Sequence, residues 1–453
     1  MPSPVRGQAE TACRPNVAGR RTDAMVATIA IACLLCGGLP DGPDRPARCL
    51  YFNRMDGIGW SSQRVDANGP ATFNSMIAAL GRPEQSHLAW GASFIWSYLD
   101  GDPDRQEEVL RALLASAEAT SVPVLITLDG QNWWGGRPDL WNWWDASGPG
   151  FDPANAWNVE WAGPGPERAV RICWRNWGRQ TRVLPPPNLM SPPYRAACEE
   201  RLRRLVPVIL EWARALPPGK RHLFGGIKLG WEASIGVNAF YYLDGNAIMD
   251  RAPDDPSGDP IDGYRIGEGV HGGLAPLGFA ALASEARARG ESYSDIAGVS
   301  LADHERIVHD YLVFLARTAH ELGAPRAYLI THCGGTYPPW EKHYSFSTGI
   351  TDHAVPGFSF YGQLPESAGD LGASLDAAGV SDWAAAEWNP MAVTGPEWER
   401  NLRKTFGYRD CRAVVLYNWE RGPDAPRPTD EALEGLRALL AGPGLTPERS
   451  ASR

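Results

Sequence analysis

Short apolar runs without strict alternation of apolar and polar positions recur eight times along the chain. Strands buried on both faces of a parallel sheet have this pattern, because neither face needs polar side chains. The predicted strands are Cys49–Met55, Leu88–Phe94, Val122–Leu128, Leu223–Gly230, Ala327–His332, Gly357–Tyr361, Trp383–Glu387 and Arg412–Tyr417.

Between these runs the apolar residues recur every three to four positions, the period of a helix that packs one face against a core. Alternation of strands and helices indicates an α/β fold with a parallel sheet. Eight strands in a chain of this length favour a closed (β/α)8 TIM barrel over an open doubly wound sheet. No Gly-x-Gly-x-x-Gly follows the first strand, which argues against a dinucleotide fold. The predicted helices are Ala71–Leu80, Pro103–Ala119, Arg195–Leu216, Leu301–Leu322, Glu366–Ala378, Pro396–Phe406 and Thr429–Leu440.

Two connections are much longer than the few residues that usually join a strand to a helix. The βα3 loop runs from Asp129 to about Leu189, and the βα4 loop runs from Trp231 to about Ser300. Loops that follow the strands of a (β/α)8 barrel surround its active site. The sequence therefore predicts that these two loops shape a site at the C-terminal face of the barrel.

The first 48 residues differ from the rest of the chain. An Arg20-Arg21 pair precedes an apolar run from Met25 to Leu39, which resembles a secretory signal peptide and is too short to require a membrane span. This pattern predicts a secreted or cell-envelope protein, with Cys33 as a candidate lipoprotein anchor, or a cytoplasmic one if the leader is a mis-assigned start. The predicted organisation is a leader at 1–48, a catalytic barrel at 49–441 and a disordered tail at 442–453.

The chain of 453 residues carries 43 Lys and Arg against 53 Asp and Glu, a formal net charge of -10. No basic cluster outweighs this charge, so nucleic acid and anionic membranes are disfavoured as partners. Trp is in clear excess with 19 copies, many of them in polar, Gly-rich or Pro-rich stretches. Indole rings there either pack the undersides of long loops or form flat platforms for sugar rings. These tryptophans are Trp133, Trp134, Trp141, Trp143, Trp144, Trp157, Trp161, Trp174 and Trp177.

Eight cysteines are present, and three of them lie in the leader. Cys49 and Cys411 stand at the start of the first and last predicted strands, which are neighbours in a closed barrel, so a Cys49–Cys411 disulfide is one interpretation. Cys173 and Cys198 bracket a Pro-rich loop and could form a second disulfide, which leaves Cys333. The alternative is five reduced, buried thiols.

Two glutamates stand at the ends of predicted strands. Glu232 follows the fourth strand, and Glu387 closes the seventh. Glycosidic bonds are usually cut by two carboxyl groups held on opposite sides of one bond. Because strands 4 and 7 end on opposite sides of a barrel mouth, these carboxyls could reach the separation of about 5–5.5 Å that a retaining mechanism needs.

With these glutamates the chain resembles the clan A glycoside hydrolases, a superfamily of retaining (β/α)8 enzymes. In that clan the acid/base Glu ends strand 4 and the nucleophile Glu ends strand 7. The resemblance covers roughly Cys49 to Leu440 and rests on architecture and a few residues. Ala385-Ala-Glu387-Trp is similar to the clan's strand 7, Tyr361 to its strand 6 tyrosine that hydrogen-bonds the nucleophile, and Trp419 to its sugar-platform tryptophan.

The resemblance implies that Glu387 is the nucleophile and Glu232 the acid/base, with a β-glycoside or an α-L-arabinofuranoside as substrate. His332 at the end of strand 5 is compatible with a subsite wall. One position departs from the clan, because Trp231 stands where an Asn commonly contacts the sugar 2-hydroxyl. The candidates to replace that contact are Asn132, Asn238 and Asn389.

Further residues near strand ends are candidate sugar contacts. Asp129 and Asn132 follow strand 3 beside Trp133, which is typical of a sugar subsite, while an Asx turn at the end of the strand explains them equally well. Glu420 is the main rival carboxylate, with a surface salt bridge as its alternative role. The other predicted substrate-binding residues are Trp231, Asn238, His332, Tyr361, Trp388 and Trp419.

Other chemistries match the sequence poorly. The nine His include no His-x-His and no His-Glu-x-x-His, and there is no Walker loop and no Gly-x-Ser-x-Gly, so no metal and no cofactor are predicted. The first hypothesis is a retaining glycoside hydrolase acting on an oligosaccharide, polysaccharide or glycoconjugate. The alternatives are a non-catalytic carbohydrate-binding TIM-barrel protein and a barrel hydrolase that uses a metal. Carboxyls about 5 Å apart favour the first, diverging carboxyls the second, and a converging His/Asp cluster the third.

Overall fold

The computed structural model describes residues 48–53, 69–171, 173–176, 180–236, 239–240, 277–334, 336–337, 342–421 and 427–442. Eight parallel strands form a closed barrel in which each strand pairs with its neighbours in sequence and the last pairs with the first. The predicted (β/α)8 TIM barrel is therefore confirmed. The strands are β1 (Cys49–Asn53), β2 (Ala89–Ser97), β3 (Val124–Asp129), β4 (Phe224–Ala233), β5 (Leu329–Cys333), β6 (Gly357–Tyr361), β7 (Asp382–Asn389) and β8 (Asp410–Leu416).

Closure of the barrel depends on β1, in which Cys49 lies opposite Ala89 of β2 on one side and Ala413 of β8 on the other. The strands separate two apolar layers. An inner cluster that includes Tyr51 and Leu125 fills the barrel, and a much larger outer cluster packs between the strands and the helices. Burial on both faces explains why the strand sequences show no strict alternation.

All eight predicted strands are present, and the boundaries differ from the predicted ones by at most three residues within the described part of the chain. The most consequential difference is at β4, which was predicted to end at Gly230 and continues to Ala233, so that Glu232 lies inside the strand. Similarly, β7 continues two residues past Glu387, to Asn389.

The seven predicted helices are also present. Within the described residues, two further helices, Pro138–Trp141 and Phe279–Ala288, lie in the long connections, where short or Ala-rich sequences give little apolar contrast. The helix predicted over Glu366–Ala378 is shorter, because a 3-10 turn at Pro365–Ser367 and a left-handed Gly369 come before it. The helices are α1 (Pro70–Leu80), α2 (Pro103–Thr120), α3 (Pro138–Trp141), α4 (Pro192–Ala215), α5 (Phe279–Ala288), α6 (Leu301–Glu321), α7 (Leu371–Ala377), α8 (Gly395–Gly407) and α9 (Asp430–Ala441).

The two long connections pack against each other above the barrel. An antiparallel hairpin of the βα3 connection, Cys173–Asn176 with Gln180–Val183, pairs with the short strand Ala239–Phe240 of the βα4 connection. The βα3 connection also has its own apolar core, in which Trp134 and Trp161 are almost completely buried. For these two tryptophans, packing beneath the loops describes their position better than a sugar platform does.

Glu160 joins the βα3 connection to α5. Its carboxylate is fully buried, and its Oε2 accepts a hydrogen bond of 2.9 Å from the backbone N–H of Gly278, the N-cap of α5. Burial raises the pKa of Glu160 to about 8, although backbone N–H groups at the start of α5 hold it lower than burial alone would. A buried carboxyl with this pKa makes the stability of the fold depend on pH.

Glu160→Gln is expected to flatten this pH dependence. The carboxyl has a higher pKa in the folded state than its ordinary value of 4.5, so its contribution to stability is complete below that value and is lost as pH rises through about 8. In this window the group lowers the free energy of unfolding by up to about 1.4 kcal/mol per pH unit. Urea unfolding between pH 5 and pH 8.5 should give a smaller slope for the variant than for the wild type. Parallel slopes would contradict this role of Glu160.

The five cysteines of the described residues are buried thiols, so the two suggested disulfides are not formed and the alternative interpretation is correct. Cys49 packs in the inner cluster and Cys411 in the outer one, so their side chains lie on opposite faces of the barrel wall. Cys198 lies on α4 close to the hydroxyls of Tyr98, Tyr194 and Tyr311. Burial raises its pKa to about 11, which keeps the thiol protonated.

The predicted leader and the predicted tail fall outside the described residues, apart from Arg48 and Gly442 at their edges. Within the described residues, none of the helices combines the length and the apolar character needed to cross a membrane.

Candidate active site

Glu232 and Glu387 face each other at the C-terminal end of the barrel. One carboxylate oxygen of each and one ring nitrogen of His332 all lie within 4.8 Å of one another. Glu232 is half-buried near the end of β4, and Glu387 is only 5% exposed in β7. The two carboxyls therefore converge, and the upper limit of 4.8 Å between one oxygen of each is compatible with the roughly 5 Å typical of a retaining pair.

The backbone of β4 is irregular where it carries Glu232. Glu232 has a φ of +50° and Gly230 a φ of +77°, and the register with β5 shifts between Leu229 and Ala233. An irregularity of this kind re-aims a side chain, and a non-glycine residue in the left-handed region is usually held there by its surroundings. Gly334 after β5 leaves room for the side chain of Glu232, because a Cβ atom at position 334 would lie only 2.9 Å from the Cβ of Glu232.

Glu387 is held by two hydrogen-bond donors. The indole Nε1 of Trp231 donates to Oε2 at 2.8 Å, and the hydroxyl of Tyr361 donates to Oε1. Burial, together with the charge of Glu387, raises the pKa of Tyr361 far above its usual value, so the phenol keeps its proton. Both partners therefore donate to Glu387, which favours the ionised form of this carboxyl.

A buried lysine lies beside the two carboxyls. Lys228 of β4 is completely buried, and its Nζ donates to the carbonyl of Ala386 and to the hydroxyl of Tyr417, each at 3.0 Å. Burial lowers the pKa of Lys228 to about 8, while Glu387, Glu232 and Asp129 act to raise it. The lysine is thus a positive charge that the carboxyl pair stabilises in an apolar barrel.

The pKa of Glu387 is raised. Burial and the neighbouring Glu232 raise it to about 8, against the opposing effects of Lys228, Tyr361 and Trp231. Two carboxyls this close cannot both ionise without a large cost, so their titrations are coupled. The hydrogen bonds from Trp231 and Tyr361 favour the anion of Glu387.

Glu232 is linked to His332 through a serine. The hydroxyl of Ser359 in β6 lies 2.9 Å from Oε1 of Glu232 and 2.9 Å from Nε2 of His332. Burial, followed by the charge of Lys228, lowers the pKa of His332 far below its usual value, so the ring is neutral. The acid/base candidate thus interacts with a hydroxyl that can donate or accept.

The polar residues after β3 support the site from behind. Asp129 is fully buried and accepts the backbone N–H of Gln131 at 3.1 Å, and Asn132 is 4% exposed and donates from its side chain to the carbonyl of Trp231 at 2.9 Å. The first contact is the Asx turn of the alternative interpretation. The second ties the βα3 connection to the backbone of β4 beside Glu232.

Two tryptophans predicted to bind sugar lie elsewhere. Trp388 is fully buried in the outer cluster, where its ring is 6.2 Å from that of Trp398 on α8. Trp419 packs 4.8 Å from Phe52 and donates from its indole to the carbonyl of Asn53. Both side chains are in the core. Trp388 points outward from the barrel, and Trp419 covers the end of β1.

The remaining predicted residues divide into three groups. Trp133 is half-buried and contacts both apolar clusters, and Trp231 forms a wall of the site with its ring 6.5 Å from that of Tyr417. The side chain of Asn389 donates to the carbonyls of Tyr417 and Asn418 and thereby joins the ends of β7 and β8. Asn238 and the side chain of Glu420 lie outside what the structure describes.

Three residues of the site were not predicted from the sequence, namely Lys228, Ser359 and Tyr417. Lys228 gave the clearest signal, because a lysine in the middle of an apolar strand is almost never fully buried unless it has partners. Ser359 and Tyr417 gave no signal of their own. Each matters only because barrel closure brings its strand next to a carboxyl or to the lysine.

Among the described residues, one group could hold a metal ion, and it consists of Glu232, His332 and Glu387. The sequence predicted no metal. Four polar atoms of this group already make hydrogen bonds. Nε2 of His332 and Oε1 of Glu232 both contact the hydroxyl of Ser359. The two oxygens of Glu387 accept hydrogen bonds from Trp231 and Tyr361.

Comparisons with known proteins place few limits on the identity of the chain. No family model matches it, and no curated protein matches it. Among solved structures, it is similar to the exo-β-1,4-mannosidase Op5Man5 from Opitutaceae bacterium strain TAV5, with 11% sequence identity and a TM-score of 0.36. The match covers 82% of this chain but only 51% of the mannosidase, so the chain spans about half the length of that protein.

Proposed function

We propose that the protein is a retaining glycoside hydrolase in which Glu387 is the nucleophile and Glu232 the general acid and base. The observation that carries this proposal is the convergence of the two carboxyls within 4.8 Å at the C-terminal end of the barrel. An inverting enzyme needs about 6.5–9.5 Å between its carboxyls to leave room for water, so the short separation favours retention.

In the first step Glu387 attacks the anomeric carbon and the glycosidic bond breaks, while Glu232 gives its proton to the departing oxygen. In the second step Glu232 removes a proton from water, and the hydroxide oxygen displaces Glu387 from the anomeric carbon. The pair thus begins and ends with one proton on Glu232 and an ionised Glu387, in accord with its donors Trp231 and Tyr361.

The substrate class follows from the clan resemblance rather than from the described side chains. A β-glycoside or an α-L-arabinofuranoside of an oligosaccharide, polysaccharide or glycoconjugate is the proposed substrate. Tyr361, which is 38% exposed beside Glu387, and the half-buried Trp133 are the described aromatic residues best suited to contact a sugar. Export of the chain stays a prediction from its first 48 residues.

Trapping of the covalent intermediate tests the proposal. The protein is incubated with 2-deoxy-2-fluoro glycosides that carry activated leaving groups, chosen from aryl β-glycosides and α-L-arabinofuranosides that it hydrolyses. Peptide mass spectrometry should find one glycosyl group on the peptide that contains Glu387, and proton NMR should find the product first in the anomeric configuration of the substrate. Inversion, or a label on another residue, would refute the assigned mechanism.

A metal-dependent hydrolase is the second candidate, since His332 joins the two glutamates in one cluster. Loss of activity after dialysis against a chelator, with recovery on addition of Zn²⁺ or Mn²⁺, would favour it over the metal-free mechanism. Sugar binding without turnover on the whole panel would instead favour the non-catalytic carbohydrate-binding protein.

A further inference from the structure

We propose that Ser359 and His332 are positioning residues for Glu232, and that they support the carboxyl in both protonation states that retention requires. The inference rests on the proposed function. Ser359 bridges the carboxyl and the imidazole, with its hydroxyl 2.9 Å from Oε1 of Glu232 and 2.9 Å from Nε2 of His332. The three residues come from β4, β5 and β6, so the contact exists only in the closed barrel.

The chemistry of Ser359 suits a carboxyl that changes its proton. A protonated Glu232 must donate a hydrogen bond, whereas an ionised Glu232 must accept one, and a serine hydroxyl does both by rotating about its Cβ–Oγ bond. When Ser359 accepts from Glu232, its own proton points to Nε2 of His332. When Glu232 has given its proton away, the same hydroxyl turns to donate to it.

His332 biases this exchange towards the protonated carboxyl. The ring is fully buried and neutral, so Nε2 offers a lone pair to the Ser359 hydroxyl when Nδ1 carries the ring hydrogen. Within the described residues Nδ1 has no hydrogen-bond partner, so no neighbour forces the hydrogen onto Nε2. The arrangement therefore allows Glu232 to hold a proton beside an ionised Glu387, which is the state that begins the reaction.

Substrates with different leaving groups test the proposal, because general acid catalysis accelerates the departure of a poor leaving group and not of a good one. The dinitrophenolate of a dinitrophenyl glycoside departs without a proton. The alcohol of a methyl or methoxyphenyl glycoside is a poorer leaving group and needs a proton from Glu232. Ser359→Ala should lower kcat/KM for the poor leaving groups by roughly 10- to 100-fold, part of the 10²–10⁴-fold that general acid catalysis contributes. It should change kcat/KM for the dinitrophenyl glycoside by less than about 3-fold. Ser359→Thr keeps the hydroxyl and should recover most of the loss.

Two further variants separate this role from a general disturbance of the site. Ser234→Ala removes a hydroxyl that contacts the backbone carbonyl of Glu232 at 3.0 Å and should affect both classes of leaving group equally. His332→Phe removes the acceptor for Ser359 and should reproduce the leaving-group dependence of Ser359→Ala. Equal losses for both classes in Ser359→Ala, or full activity, would overturn the proposal.

Infrared spectroscopy keeps the inference testable even if no glycoside is hydrolysed. In the Glu387→Gln background, the carboxyl stretch of Glu232, assigned by its absence in a Glu232→Gln variant, should shift when Ser359 is replaced by Ala, because a hydrogen bond to that carboxyl is lost. An unchanged stretch would overturn the contact. Absence of hydrolysis together with a shifted stretch would refute the proposed function and leave the contact itself supported.

Discussion

Replacement of Glu387 by Ala is expected to lower kcat by roughly 10⁴-fold or more for every aryl glycoside that the protein hydrolyses, the order of loss seen when a nucleophile acting as part of a unit is removed. The variant has no group that can form the glycosyl ester, and water in the vacated space is a poor substitute. The carboxyl is buried and held by two donors, so no neighbouring side chain can take its position without moving Trp231 or Tyr361.

Glu232→Ala is expected to behave differently. With a dinitrophenyl glycoside the first step proceeds without acid assistance, so the glycosyl-enzyme accumulates and its breakdown limits turnover. Azide needs no general base, so it should raise kcat for this variant and give a glycosyl azide that retains the configuration of the substrate. Measurement of kcat with and without azide, and of the product by NMR, distinguishes the two glutamates.

Glu285→Gln is the matched control for both variants, because Glu285 is also mostly buried but contacts Arg306 on α6, away from the carboxyl pair. It should retain wild-type kcat. Wild-type activity in Glu387→Ala or Glu232→Ala would contradict the role assigned to that residue and direct attention to Glu420 or Asp129.

Lys228→Met is expected to have the second largest effect, lowering kcat on the order of 10²-fold at neutral pH. The lysine charge opposes the rise in the pKa of Glu387. Loss of the lysine removes this opposing effect, so the pKa of Glu387 should rise further and less of the nucleophile should be ionised at neutral pH. The acid limb of the pH–rate profile should therefore move to higher pH.

Lys228→Met should also be less stable than the wild type. The carbonyl of Ala386 and the hydroxyl of Tyr417 lose a donor, and the buried carboxyl of Glu387 loses a positive neighbour. We expect the free energy of unfolding at pH 7 to fall by about 3–5 kcal/mol, the cost of removing one partner from a buried set of charges. Urea unfolding and pH–rate profiles of the same preparation measure both quantities.

Two controls isolate the charge of Lys228. Lys228→Gln keeps a hydrogen-bond donor without the charge and should lose activity as Lys228→Met does. Lys220→Met makes the same substitution at the surface lysine that lies 3.5 Å from Glu118 and should leave kcat unchanged. Full activity in Lys228→Gln would indicate that the hydrogen bonds matter and the charge does not.

The strands and the two glutamates illustrate what could be predicted from local sequence. β6 was predicted at its observed bounds, because Gly357 and Tyr361 delimit an apolar run between loop residues. The long helix α6 was predicted within one residue, because its apolar stripe is clear. In the structure, a capping box of Ser300 and Asp303 fixes its start. Glu232 and Glu387 could be selected because a charged residue that follows a buried run must lie near a strand end.

Which residues face the site depends on side-chain orientation, which local sequence does not give. Trp388 was predicted to bind sugar because it follows Glu387, yet its ring packs in the outer cluster. Trp231, by contrast, faces the site beside Glu232, because the irregular backbone of β4 interrupts the alternation of faces. Asp129 and Asn132 carry the polar groups of a subsite, but whether a polar group at a strand end faces solvent or its own backbone depends on what the loop packs against.

The sequence by itself determined the closed barrel and the positions of the two carboxyls near the ends of β4 and β7, because apolar periodicity and strand ends are local properties of the chain. The tertiary structure alone decided which donors and charges surround those carboxyls. Trp231, Tyr361, Lys228, Ser359 and His332 come from β4, β5 and β6 and act through hydrogen bonds and charges at distances of a few ångströms. Such distances exist only after the barrel closes, and burial then sets the strength of each interaction.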